Sequence, residues 1–275
     1  MSHPEGENGR DRLRQALYER DHPSPTLLTL RSGIQGPPIF LAPGLGTDIR
    51  ELFNLAQALV TDRAIYGLQP KGSNGVEEPQ NTVAAMVDTH FADIRGVQPI
   101  GPYCLIGYSF GGIVMLEIAR RLAEQREGIA LLAMLDSYPS RKYLPLSQRI
   151  PLWFRLAGRK LNSLTGRHNS YEHFESASEA PADPVTEALA RVKTGQEIAW
   201  KAYRPSFYPG RIRYIDTVGK VPYFAHDSRA VWARWASEFT LETVPGNHLD
   251  MLLEGHVQHV AAVVSRYVAE AQHSA

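Results

Sequence analysis

The run Leu105-Ile106-Gly107-Tyr108-Ser109-Phe110-Gly111-Gly112 constrains this chain more than any other stretch. It reads as a buried strand that enters a Gly-x-Ser-x-Gly turn and passes straight into a helix. That is the context a nucleophile elbow needs: a sharp, strained turn that exposes one serine hydroxyl. Gly107 and Gly111 leave room where a side chain would clash. The following helix presents unpaired N–H groups and the positive end of its dipole to Ser109. A bare Gly-x-Ser-x-Gly occurs by chance in many chains; the flanking strand and helix give this one its weight.

The rest of the pattern supplies the surroundings such a turn requires. Thr26 to Leu30 is a short strand candidate, and Ile39 to Ala42 a compact apolar strand that ends in the glycine loop Pro43-Gly44-Leu45-Gly46. A helix follows, with Leu52, Ala56 and Leu59 as its apolar stripe and Asp48 and Glu51 spaced for a capping box. Ala64 to Leu68 reads as a strand, and Val83, Met86, Val87, Phe91 and Ile94 recur at helical spacing. The elbow helix is expected to run to about Gln125, with Glu117, Arg120, Arg121 and Glu124 as its polar stripe, before a strand from Ile129 to Leu135. Strands that are apolar on both faces and alternate with helices predict a mostly parallel sheet covered by helices.

Residues 137 to 200 interrupt that alternation. From Ser137 to Tyr171 the charged residues are all basic, including Arg141, Lys142, Arg149, Arg155, Arg159, Lys160 and Arg167; from Glu172 to Glu187 the sign reverses. We expect a helical insertion covering the catalytic end of the sheet. The alternation then resumes with a strand at Arg211 to Val218, a helix from Ser228 to about Ser237, a strand at Phe239 to Val244, a loop Pro245-Gly246-Asn247-His248, and a last helix from His256 to about Ala271. The expected organisation is a polar N-terminal arm over 1–25, a core over 26–136 and 201–275, and a lid over 137–200. Within the arm, Arg10 to Arg20 has the pattern of a short helix.

Composition removes several function classes. At 275 residues with formal net charge zero, the chain lacks the basic excess of a nucleic-acid binder. The single cysteine, Cys104, permits no internal disulfide, fits a reducing compartment, and sits in an apolar strand as a small buried hydrophobe. The polar N-terminus and the lack of any long apolar run predict a cytoplasmic protein with no membrane span. No Gly-Lys-Ser or Gly-Lys-Thr follows the glycine loop, so a phosphate loop is not expected, and neither a metal nor a cofactor is.

A serine hydroxyl needs a base within hydrogen-bond reach. Among ten histidines, His248 is the one on a short loop after a predicted strand, where loops at the C-terminal edge of a parallel sheet meet the elbow. His226, His256 and His259 lack that setting. The acid that orients the imidazole has three candidates: Asp136, which ends the strand after the elbow helix, and Asp216 and Asp227 at or past the next strand. Position favours Asp136. The oxyanion hole needs two backbone N–H donors, expected from Phe110 and from Leu45 in the glycine loop.

With these residues placed, the chain resembles the thioesterase domains that end non-ribosomal peptide and polyketide synthases, which have the α/β-hydrolase fold. The resemblance runs from about Thr26 to the last helix. It is carried by residues 37–44, Ile65-Tyr66-Gly67-Leu68-Gln69, Gly101-Pro102-Tyr103, residues 107–112, Leu135-Asp136, Tyr203-Arg204-Pro205, Tyr208-Pro209-Gly210, and residues 244–248 with Met251-Leu252. Synthase-terminal members commonly carry the acid at the place of Asp136, whereas stand-alone proofreading (type II) members place it one strand later, which keeps Asp216 and Asp227 open. Where the family often has Glu-Pro-His-Val, this chain has Glu254-Gly255-His256-Val257. The resemblance implies release of an acyl, peptidyl or polyketide chain from a phosphopantetheinyl carrier protein through an acyl-serine, by hydrolysis or macrocyclisation. Residues 1–25 contain no recognisable carrier serine, so the carrier is expected to act in trans. The competing expectations are a general carboxylesterase or lipase on the same fold, and a non-catalytic binder, which would usually have lost a triad member.

The one-signed stretch from Arg141 to Arg167 has two readings: a contact for an acidic carrier or the arm's phosphate, or a solvated face balanced by the acidic stretch after it. The first predicts that neutralising Arg155, Arg159 and Lys160 together slows turnover of a carrier-bound thioester and spares a small thioester. Steady-state kinetics on both substrates checks it; equal loss on both, or none, favours the second.

Overall fold

The structure, a computed structural model, describes residues 24–150, 183–221 and 227–273. The expected arm helix, the residues of the expected lid from Arg155 to Glu179, and His226 lie outside them. The described strands are β1 (Leu27–Arg31), β2 (Ile39–Ala42), β3 (Ile65–Leu68), β4 (Tyr103–Tyr108), β5 (Ile129–Leu135), β6 (Tyr208–Gly219) and β7 (Ala236–Asn247). They form one sheet in the order β1-β3-β2-β4-β5-β6-β7. β1 runs antiparallel to β3, and every other neighbouring pair is parallel. This is the α/β-hydrolase architecture.

The continuous apolar runs have a direct physical consequence. Successive side chains of a strand point to opposite faces, so a strand apolar at every position feeds two cores. Phe40, Leu105, Leu132 and Met134 enter one core, with α2 (Val83–Val97) and α3 (Phe110–Glu124). Ile39, Leu41, Cys104, Ile106, Leu131 and Ala133 enter the other, with α1 (Phe53–Ala58) and α6 (Val257–His273). β4 lies mid-sheet and is buried along its whole length. The elbow therefore leaves the sheet from a fully enclosed strand. On α3 the expected polar stripe is paired: Arg120 bonds Glu117 at 2.7 Å and Glu124 at 2.9 Å, and Arg121 bonds Asp88.

Between β5 and β6 the described residues contain a short 3-10 turn at Arg141–Tyr143 and the helix α4 (Pro184–Ala202). Asp183 caps α4, accepting from the N–H groups of Val185 and Thr186.

Three expectations need correction. The helix at Ser228 is short: α5 covers Ser228–Trp232, a 3-10 turn continues it to Trp235, and β7 begins at Ala236. Pairing with β6 extends back to Tyr208↔Ala236 and claims those residues for the sheet. β7 also runs on through Pro245 to Asn247, so His248 directly follows a strand rather than ending a four-residue loop. Among the described residues the sheet ends at β7, and an edge strand tolerates a proline that has no N–H to give. Finally, no capping box forms at Asp48. Asp48 accepts from Arg50 N–H at 2.9 Å, but the Glu51 carboxylate turns to Gly44 instead.

The elbow glycines are required by close approach. A Cβ on Gly111 would lie 2.4 Å from the Ala42 carbonyl oxygen and 2.5 Å from that of Pro43. Gly96, near the end of α2, would meet nothing within 4 Å. Gly111→Ala is thus expected to lose about 2 kcal/mol or more of stability. Gly96→Ala is expected to gain up to about 1 kcal/mol from helix propensity. Urea unfolding of the two variants beside the parent checks both signs.

Candidate active site

Two strand ends build the site. Ser109 follows β4 at φ 52°, and Asp136 follows β5 at φ 45°. Residues with side chains rarely adopt positive φ, and the cost is of order 1–3 kcal/mol each. Both are held by the neighbouring strand. Ser109 N–H donates to the Leu135 carbonyl at 2.8 Å, and Asp136 N–H donates to the Ile215 carbonyl at 2.8 Å. The turn at Asp136 is fixed further by Ser137, whose carbonyl accepts from Tyr214 Oη and Trp232 Nε1, both at 2.7 Å. Ser137 also fills the space beside Gly112: a Cβ there would lie 1.9 Å from Ser137 Oγ. The acid's turn and the elbow helix are thus packed against one another.

The geometry brings the three expected residues into line. Ser109 Oγ lies 3.0 Å from His248 Nε2, and His248 Nδ1 lies 2.9 Å from Asp136 Oδ2. An ionised carboxylate only accepts, so Nδ1 carries the proton and Nε2 is left to accept from the serine. Asp136 and His248 are buried. Burial alone would raise the Asp136 pKa, but the hydrogen bond and charge of His248, with the charge of Lys220, outweigh it and hold the carboxyl below its ordinary value. Folding therefore releases a proton that the unfolded chain would keep. The stability gained is present above the ordinary carboxylate range and is lost as pH falls through the lowered value.

His248 is seated by its neighbours. The turn after β7 is pinned by Asp250, which accepts from Asn247 N–H at 2.7 Å. Tyr108 stacks on the imidazole, centroids 5.2 Å apart and planes 24° apart, and its hydroxyl donates to the His248 carbonyl. The sequence shows Tyr108 only as the residue before Ser109 in the elbow motif.

The other acid candidates have different partners. Asp216 is buried on β6 and accepts from Thr217 N–H at 2.9 Å, from Ser228 Oγ at 2.8 Å and from Lys220. Burial pushes its carboxyl up, with Lys220 and Ser228 pulling it back and the charge on Asp136 adding to the rise. Asp227 is exposed and caps α5 through Ala230 N–H at 2.9 Å.

The glycine loop leaves the sheet beside the elbow, because Ala42 pairs with Gly107. Two of its N–H groups are taken. Gly44 N–H donates to Glu51 Oε2 at 2.8 Å, and Gly46 N–H donates to Gln196 Oε1 at 2.6 Å. Leu45 N–H between them has no partner among the described residues, and neither has Phe110 N–H at the first position of α3. Glu51 and Gln196 were missed from sequence. The available signal was a polar Gln196 on the buried stripe of α4, among Ala188, Val192, Gly195 and Ala199. Among the described residues no group of His, Cys, Asp and Glu is arranged to hold a metal, and no helix is long and apolar enough to cross a membrane.

Sheet, elbow and rim together define an α/β-hydrolase. A family profile described as "Thioesterase domain" matches residues 37–267, and the chain belongs to that family. It is similar to the nonribosomal peptide synthetase pngA of Aspergillus terreus, 35% identical over 144 residues, which are 51% of this chain and 15% of that protein. It is also similar to a dimodular nonribosomal peptide synthase of Bacillus subtilis, 39% identical over 122 residues, 44% of this chain and 5% of that protein. The chain thus spans a small fraction of these relatives. Among solved structures, a covalent complex of the NocB thioesterase domain with a fluorophosphonate nocardicin G analog superposes with TM-score 0.64 at 22% identity, covering 85% of this chain and 95% of that one. The type II thioesterase BorB from the borrelidin biosynthetic cluster superposes with TM-score 0.63 at 18% identity, covering 89% and 97%. At these identities the likeness is one of fold.

The two buried carboxylates give separable predictions. Asp136→Asn is expected to lower kcat by about 10³-fold or more, since the amide favours the wrong imidazole tautomer. Asp216→Asn is expected to cost much less in kcat. Steady-state kinetics of both variants at neutral pH makes the comparison.

Proposed function

We propose that this protein is a serine thioesterase that releases an acyl, peptidyl or polyketide chain from a phosphopantetheinyl carrier protein. The observation that carries this reading is the Ser109–His248–Asp136 alignment at 3.0 and 2.9 Å, in a chain of the thioesterase domain family. In this reading His248 Nε2 takes the Ser109 proton as Oγ attacks the thioester carbonyl. Asp136 stabilises the imidazolium that results. The N–H groups of Phe110 and Leu45 receive the developing oxyanion, which matters because donors fixed in advance cost no reorganisation at the transition state. Collapse expels the phosphopantetheine thiol, protonated by His248. The acyl-serine then passes to water, giving an acid, or to a nucleophile within the chain, giving a macrocycle.

The organisation proposed with this function is an arm over 1–25, a core over 26–136 and 201–275, and a lid over 137–200. α4 would be the lid's last element. The carrier is proposed to act in trans and the enzyme to work in the cytoplasm. A narrow cleft of about 20 Å³ beside the elbow, room for little more than a water molecule, is lined by Pro43, Lys71, His90 and Phe110, with Val192 and Gln196 of α4 as one wall.

The reading is tested by a fluorophosphonate probe and by turnover. The probe is expected to label the wild type and not Ser109→Ala. Cleavage of an acyl-pantetheine thioester is expected to fall by about 10³-fold or more in that variant. A thioester is expected to be preferred to a matched p-nitrophenyl ester; the reverse preference would favour a general carboxylesterase. Intact thioester cleavage by Ser109→Ala would overturn the mechanism.

A further inference from the structure

The glycine loop is gripped from two sides. From the core, Glu51 Oε2 accepts from Gly44 N–H at 2.8 Å and from Thr47 Oγ1 at 2.7 Å. From α4, Gln196 Oε1 accepts from Gly46 N–H at 2.6 Å across 150 residues of sequence. Gln196 is only 4% exposed. Lys193, three residues earlier and on the same helix face, packs so closely on Gly46 that a Cβ there would meet its Cγ at 2.8 Å. The backbone of α4 is seated equally tightly, since a Cβ on Gly195 would lie 2.4 Å from the Gln80 carbonyl oxygen.

These contacts fall on the two peptides that flank the Leu45 N–H. Gly46 has φ +76°, a conformation in which a glycine peptide turns over at little cost. If the peptide before Gly46 turned over, a buried carboxamide oxygen would lose its donor, which is costly. The same holds for the peptide before Gly44 and the Glu51 carboxylate. With both held, the intervening N–H has one orientation.

We propose that Gln196 and Glu51 are positioning residues for the oxyanion hole, and that Gln196 ties the seating of α4 to the rate of attack on the substrate carbonyl. The inference rests on the reading that Leu45 and Phe110 are the oxyanion donors. It makes α4 more than a wall of the pocket: when α4 is displaced, the loop loses the acceptor that fixes it.

The test uses the full chain with Gln196→Leu, which keeps bulk and removes the acceptor, and Gln196→Glu, which keeps an acceptor. The readouts are kcat and KM on an acyl-pantetheine thioester and the rate at which a fluorophosphonate labels Ser109. For Gln196→Leu we expect kcat and the labelling rate to fall together by about tenfold, with KM within about twofold. Gln196→Glu is expected to stay within about threefold of wild type. A residue that merely shapes the pocket would raise KM and leave kcat. That result, unchanged kcat in Gln196→Leu, or equal loss in both variants would overturn the inference. Should Gln196→Leu fail to fold by circular dichroism, Gln196→Ala takes its place in the comparison. A Ser109-dependent enzyme indifferent to Gln196→Leu sinks this inference alone, whereas thioester cleavage that survives Ser109→Ala sinks the reading beneath it.

Discussion

The rim of the sheet depends on two residues that leave their strands at positive φ and are caught by the strand next door. Ser109, after β4, is held by a carbonyl of β5; Asp136, after β5, is held by a carbonyl of β6. Each hydrogen bond does locally what a glycine would do by permissiveness: it offsets backbone strain that neither side chain tolerates cheaply. The pair also sets the spacing between them. Because β4 and β5 are adjacent and parallel, with Tyr108 opposite Leu135, the serine and the acid emerge on the same edge one strand apart. An imidazole entering from the end of β7 can then bridge them. Loss of either backbone bond would move a side chain, not merely loosen a turn.

Much of this was legible in the sequence, for reasons that differ from residue to residue. The parallel sheet could be read because β2, β4 and β5 are apolar at every position, which only burial on two faces explains. Ser109 and His248 could be read because each follows a strand and chain order brings them to one rim. The choice among three acids could be ranked but not made, since it depends on which carboxylate lies in reach of His248 Nδ1, a matter of cross-sheet register. Glu51 was misjudged because the spacing Asp48–Glu51 satisfies a local rule, while the N–H of Gly44, seven residues back in the chain, offers the carboxylate a buried partner. Gln196 was out of reach of any local pattern, its partner being 150 residues away.

The polar groups missed from sequence share one property: each is bonded to backbone. Tyr108 bonds the His248 carbonyl, Tyr214 and Trp232 the Ser137 carbonyl, Glu51 the Gly44 N–H, and Gln196 the Gly46 N–H. A buried backbone group must be satisfied. Loops at the edge of a parallel sheet have no ladder to satisfy theirs, so long side chains from elsewhere are recruited. The candidate site residues thus stand at strand ends, and long side chains bonded to backbone hold the turns around them.

The neighbouring carboxylates Asp136 and Asp216 show how surroundings sort two chemically equal groups. Asp136 follows β5 and Asp216 lies within the adjacent β6, and each is buried. Asp136 meets an imidazole whose proton it can hold, and stays ionised more readily than a free carboxylate. Asp216 meets an ammonium, a hydroxyl and a backbone N–H, yet burial still leaves its carboxyl raised. Lys220 pairs with Asp216, while Asp136 Oδ2 lies 2.9 Å from His248 Nδ1. Reach thus sorts the two: the carboxylate that follows β5 lies on the imidazole, and the one on β6 is held by Lys220, Ser228 and the Thr217 N–H.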